Sequence, residues 1–232
     1  MTVHNMPIDD DILDMPGKKK KKRKSRLPKI LTDAEIKLLF DTIPTRSFTA
    51  VRNRAAFDLM LYGGMRVSEV CDLKNSSFYW ADPTKEIDGR ENSTISIIGK
   101  GDKERKIGIP KNIRADLNKW REKQPKEAEF FVCTHLGKRI TRNYLYAALK
   151  RYVARSLLKV ADADKDSYAG LKSLHPHIFR HTIATKMQLA GIPLPVIQQF
   201  LGHSNITTTM IYQHVSAIDV ISAQNKFFGQ SQ

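Results

Sequence analysis

From Leu31 onward the hydrophobic positions fall into distinct periods. Thr32, followed three residues later by Glu35, forms a capping box ahead of the spacing Ile36, Leu39, Phe40, which predicts a helix. A second helix is predicted over about 48–62, stopped by Gly63 and Gly64, and a short third one over 66–73. The period then drops to two. Thr94–Ile98 and Lys106–Ile109 read as strands of a hairpin joined through GKGDKER. A helix is expected over about 112–122, followed by a short apolar run, Phe130–Val132. The remainder returns to the helical period over about 141–159, 176–190, 193–201, 205–213 and 216–227, punctuated by Gly191 and Gly202. The pattern predicts a mainly α fold with one small antiparallel β-sheet, and no internal repeat.

The first 27 residues differ from the rest. They are polar and charge-segregated, with three prolines or glycines (Pro7, Pro16, Gly17) and too few apolar residues to pack alone. We read 1–27 as a basic arm or interdomain linker and 28–232 as one folded domain. The run Lys18–Lys24 (KKKKKRK) is expected to act as a phosphate-tracking tether, with nuclear import or a solvated linker as the alternatives.

Charge narrows the class of partner. The chain carries 39 Lys and Arg against 24 Asp and Glu, a net +15. Setting aside the seven cations of the lysine run and Asp9, Asp10, Asp11 and Asp14 still leaves +12, so the excess belongs to the body as well as the arm. Such a balance implies a polyanionic partner, most often nucleic acid. Cys71 and Cys133, far apart in sequence, make neither a disulfide framework nor a four-cysteine zinc site. No apolar run approaches the roughly 20 residues that span a bilayer, and the N-terminus lacks a signal-peptide layout. We expect a cytoplasmic protein working on DNA, with no membrane contact.

Three segments carry candidate chemistry. In GGMRVSEVCDL, Arg66 opens a helix and Glu69 stands at i+3, where an acid orients a guanidinium. In HPHIFRHTIATKMQLAG, His177 and Arg180 share one side of a helix N-terminus, a place that favours an anion, while Ile178, Phe179, Ile183 and Leu189 are available to anchor the other side. His175, His177 and His181 suggest zinc at first sight, but the segment has neither the Glu of an H-E-x-x-H motif nor a neighbouring cysteine, so no metal is expected. In LGHSNITTTMIYQHV, His203 lies on a Gly-marked turn and Tyr212 nine residues on. Taken singly, each has a plainer explanation: an exposed ion pair, a helix-turn-helix, a core tyrosine.

In order and spacing together, Arg66, Lys100 in the hairpin, His177-x-x-Arg180, Leu201-Gly202-His203 and Tyr212 resemble the tyrosine recombinases, especially phage integrases and Xer-type enzymes. The resemblance spans about 27–226 and implies the catalytic-domain fold of that family. It implies that Tyr212 is the nucleophile, that Arg66, Arg180 and His203 stabilise the phosphorane, that His177 accepts the phenol proton, and that Lys100 protonates the departing 5′ oxygen. Glu69 would orient Arg66. These roles suit the residue types: guanidinium groups grip phosphate oxygens through paired donors, and a phenol of pKa ~10 needs help to ionise. The product would be a 3′-phosphotyrosyl link, re-ligated without ATP, cofactor or metal. Double-stranded DNA and further recombinase subunits in a synaptic complex are the implied partners. The family's N-terminal DNA-binding domain is too large for 27 residues, so we expect a catalytic fragment. A type IB topoisomerase-like enzyme and a non-catalytic helix-turn-helix regulator are the alternatives; the first usually has Lys in place of His177, the second has no use for Tyr212.

Overall fold

A helix with apolar residues on every side has nowhere to go but the interior. The segment Phe48–Leu61 (α2) is such a helix, with eleven of its fourteen residues buried. The computed structural model describes residues 30–81, 93–99 and 104–202, and in it α2 is the central rod. It packs against Val67–Asp72 (α3), Lys111–Lys123 (α4) and Pro176–Leu189 (α7). Its N-cap is Ser47, whose hydroxyl accepts from the Ala50 amide. Ahead of it, Asp33–Thr42 (α1) begins at the predicted Thr32–Glu35 capping box, with Ile36, Leu39 and Phe40 buried.

The other helices contribute one stripe each. On α4, Ile113, Leu117 and Trp120 point inward, and the Trp120 indole donates to the Phe131 carbonyl at 2.6 Å. Arg142–Leu157 (α5) buries Leu145, Leu149 and Tyr152 against α1 and α3. Ala169–Lys172 (α6) is a single turn after a 3-10 stretch, Asp162–Tyr168. Neither was predicted. Leu194–Leu201 (α8) meets α7 through a small separate apolar cluster, Ala184, Ile197 and Leu201 with Ile183, Met187 and Phe200 at its rim.

Three antiparallel strands in the order β1-β2-β3 complete the fold: Phe78–Tyr79 (β1), Thr94–Ile98 (β2) and Glu104–Gly108 (β3). Expectation and structure differ here in two ways. β1 was not anticipated, and β3 begins two residues nearer the hairpin tip than Lys106 because its pairing runs on through Ile97↔Arg105 and Ile98↔Glu104. The run Phe130–Val132 is not a strand of its own. Phe130 forms a single bridge to Lys74. The expected helices at 205–213 and 216–227, and the arm 1–27, lie outside the described residues. Among the described residues, no helix is long and apolar enough to cross a membrane.

Candidate active site

The C-terminus of α8 is where the site is organised. The last carbonyls of a helix have no intrahelical partner and carry the negative end of its dipole, so cations collect there. Here three successive carbonyls each receive a different arginine. Arg105 Nε donates to Phe200 O at 3.0 Å, Arg180 Nη2 donates to Leu201 O, and Arg66 Nη2 approaches Gly202 O at 3.4 Å. The three arginines come from β3, α7 and the start of α3.

Two glycines make this convergence possible. Gly202 ends α8 in the left-handed region (φ 64°), and a Cβ there would lie 2.9 Å from Arg105 Nη1. Gly64 also has positive φ (58°), and a Cβ on it would meet the Phe200 ring at 2.6 Å. Its carbonyl receives the other arm of Arg180, from Nη1 at 2.6 Å. Arg180 is therefore held between the turn that precedes Arg66 and the helix end that precedes His203. It is 5% exposed.

Arg66 is the N-cap of α3, and Glu69 serves it twice. Glu69 Oε2 accepts from the Arg66 amide at 2.8 Å, and Oε1 accepts from Arg66 Nη1 at 2.8 Å. The predicted pairing is present, but as a buried network instead of an exposed pair. The Glu69 side chain is 6% exposed and takes a two-pronged pair from Arg105, Nη1 to Oε1 at 3.0 Å and Nη2 to Oε2 at 2.8 Å. Burial alone would raise the Glu69 pKa. The donors on Arg105, followed by those of Arg66, outweigh it and hold the carboxyl below its ordinary value. Between α3, the hairpin and α8 lies an open cleft of about 970 Å³, with Arg66, Ser68, Glu69, Arg105, Gln198 and Gly202 in its wall.

His177 stands one turn before Arg180 on α7 and is exposed, its ring edge-on to His175 with centroids 5.9 Å apart. His181 is half-buried. Burial lowers its pKa first, and the neighbouring His177, His175 and Arg180 lower it further. The anchoring face of α7 was predicted with one error. Ile178 and Phe179 are buried and Ile183 packs in the α7–α8 cluster, but Leu189, at the last turn, is 68% exposed. At that point the helix has run past the edge of the core.

Of the predicted catalytic residues, Arg66, His177 and Arg180 lie within the described chain, with Glu69 beside Arg66. Lys100, His203 and Tyr212 lie outside the described residues. Arg105 was missed. A signal for it existed, because the period-2 phase set by Ile107 and Ile109 puts Arg105 on the inner face of β3.

The phage integrase family profile matches residues 29–218. The chain belongs to the phage integrase family. It is similar to tyrosine recombinase XerD of Lacticaseibacillus casei, 31% identical over 214 residues that cover 88% of this chain and 64% of that protein. It is also similar to tyrosine recombinase XerA of Thermococcus kodakarensis, 34% identical over 205 residues, 86% of this chain and 63% of the relative. The chain thus spans less than two thirds of the length of these relatives. Among solved structures, XerH site-specific recombinase bound to palindromic difH substrate, a post-cleavage complex, superposes with a TM-score of 0.65 at 25% identity, over 86% of this chain and 53% of the other. The catalytic domain of bacteriophage HP1 integrase matches at a TM-score of 0.54 and 20% identity, over 84% of this chain and 93% of that domain. The fold is that of a tyrosine recombinase catalytic domain.

Proposed function

We propose that this chain is the catalytic domain of a site-specific DNA recombinase that cleaves and rejoins double-stranded DNA through a 3′-phosphotyrosyl bond to Tyr212. The observation that carries the proposal is the convergence of Arg66 and Arg180 on adjacent carbonyls, Leu201 and Gly202. Two guanidiniums brought together from residues 114 apart in sequence, at a turn that leads straight into His203, suit a doubly negative phosphorane. Arg66, with a third of its side chain exposed, is the better placed of the two to meet a phosphate from solvent.

In this scheme Arg66 and Arg180 hold the non-bridging oxygens and His203 adds a hydrogen bond. His177, exposed at the start of α7, takes the proton of Tyr212. The Tyr212 oxygen forms a bond to phosphorus as the bond to the 5′ oxygen breaks, and Lys100 gives that oxygen its proton. A free 5′ hydroxyl attacking the phosphotyrosine reverses the steps. Residues 28–232 constitute the catalytic domain and 1–27 the arm that precedes it. Further subunits complete a synaptic complex, and the work is done in the cytoplasm on nucleoid DNA. Relatives named tyrosine recombinase, and a neighbour bound to its DNA substrate, support this reading.

The test is adduct capture. The protein is incubated with a pool of nicked duplexes of randomised sequence, and DNA carrying covalent protein is recovered and sequenced. Wild type should yield an adduct whose peptide maps to Tyr212. Tyr212→Phe should give none while retaining duplex affinity. Arg66→Ala should slow adduct formation on the order of 10²–10³-fold, the usual consequence of removing one transition-state donor. An adduct on another residue, or undiminished adduct from Tyr212→Phe, rules the proposal out.

A further inference from the structure

Arg105 occupies an unusual position for a cation. Among the described residues of the β2–β3 pair it is the only charged side chain on the inner face, where its neighbours in phase are Ile95, Ile97 and Ile107. Its side chain is 7% exposed. Its hydrogen bonds lead to the site: to both oxygens of Glu69, and to the Phe200 carbonyl one residue before the acceptor of Arg180.

The charges have a simple consequence. Glu69 is a single carboxylate shared by two guanidiniums, so it neutralises only one of them. Arg105 is the more deeply buried and holds both oxygens, whereas Arg66 holds one through its side chain and is 33% exposed. The surplus positive charge therefore appears at Arg66, beside the cleft. Were Arg105 absent, Arg66 and Glu69 would form a closed neutral pair, and an incoming phosphate would have to compete with the carboxylate for the same donors.

We propose that Arg105 is a positioning residue of this site. It occupies Glu69 so that Arg66 keeps its charge for a phosphate, and it ties the hairpin to the end of α8. The proposal rests on the reading of Arg66 as a phosphate ligand, and the experiment separates it from the recombinase assignment. In protein labelled with 15N-arginine, inorganic phosphate is titrated and followed at the Arg66 Nε resonance, with adduct formation on the captured duplex measured in parallel. Arg105→Gln should weaken phosphate at Arg66 at least about tenfold, between the few-fold effect of a unit charge about 4 Å away at the dielectric of bulk water and the far larger one at that of a protein surface. The double variant Arg105→Gln, Glu69→Gln should recover most of that affinity, because the competing carboxylate has gone too. Arg105→Lys, which keeps the charge without the fork, should bind phosphate nearly as wild type yet form adduct more slowly.

A merely structural role would lower Tm in these variants without recovery of phosphate on the second substitution. Unchanged affinity in Arg105→Gln, or a folded double variant still tenfold weaker than wild type, overturns the proposal. Should Arg105→Gln fail to fold, the double variant and Arg105→Lys decide it by the same measurements. If phosphate behaves as stated but no duplex gives an adduct, the recombinase reading falls and the role of Arg105 at Arg66 stands.

Discussion

Asp58 is a carboxyl in the middle of α2, 2% exposed, with one oxygen lacking a hydrogen-bond partner among the described residues. Burial raises its pKa well above the ordinary carboxylate range, and the charge of Asp116 raises it further. Arg54, the cation that acts on it, is engaged by Asp116 Oδ2 at 2.6 Å and by the Phe40 carbonyl. The folded state thus holds a proton that the unfolded chain releases near pH 3.9. Stability linked to this group is complete below that pH and declines as pH rises toward the raised folded value. Asp58→Asn should therefore raise Tm at pH 8, with an advantage that shrinks to nothing near pH 4. Melting curves at the two pH values check it, and equal Tm at pH 8 would mean that the buried carboxyl carries no cost. Legibility at this scale was uneven. Arg66 with Glu69, and His177 with Arg180, stood out as local pairs, but only their order along the chain with the other motifs set them apart from ordinary surface pairs. Asp58 did not stand out, because a polar residue in a helix looks solvated until the chain closes around it; for Arg105 the strand phase gave the inner face but not the partners it meets there. Glu69 shows the limit within one residue: its bond to Arg66 is three positions away and was predicted, while its bonds to Arg105, 36 positions away, were not.

The helix α7 is held from behind by the segment that leads into α1. Thr182 Oγ1 accepts from the Leu31 amide at 3.0 Å and donates to the Ile178 carbonyl at 2.8 Å. Glu35 Oε1 accepts from the Leu171 amide at 2.8 Å, and Lys186 pairs with Asp33. Gly170 lets this segment pass, since a Cβ there would sit 2.5 Å from the Ile30 carbonyl. At about 100° per residue Thr182 points roughly 200° away from Arg180, so it supports the site from the opposite side of the helix. Thr182→Val keeps the shape but leaves the Leu31 N–H buried without an acceptor, which should cost about 1–3 kcal/mol. Thr182→Ser should retain most of the stability. Urea titration of the three proteins measures this, and a valine variant as stable as wild type would show that the bond contributes nothing. The capping box that starts α1 was readable because both its partners are local. The second use of Glu35, 136 residues downstream, left no trace in the pattern. Likewise α6 and the 3-10 stretch before it have no sustained apolar period, and β1 is two residues long and exists only by pairing with β2.

For the molecule as a whole, the +12 of the body predicts that phosphate contact dominates duplex affinity. The slope of log K against log[salt] should be on the order of −5 or steeper, and deleting residues 1–26 should make it shallower if the lysine run tracks phosphates. Binding titrations across a range of salt test both, and an identical slope after deletion would assign the run elsewhere. The fold class was legible at this scale because the change of period from helix to hairpin and back survives in the sequence. The arrangement that places α8 against the turn after α2 was not, since it depends on Gly64 leaving room for the Phe200 and Leu201 side chains and Gly202 for that of Arg105. That contact also sets a timetable. Arg66 leaves the ribosome early, but its acceptor on Gly202 follows only after 136 further residues, on the order of 7–27 s at ordinary rates of synthesis. Until then Arg180 has no Leu201 carbonyl to fix it and one side of α7 is bare. A nascent chain therefore carries Arg66 for many seconds without its Gly202 partner, and the three arginines come together only when α8 has arrived.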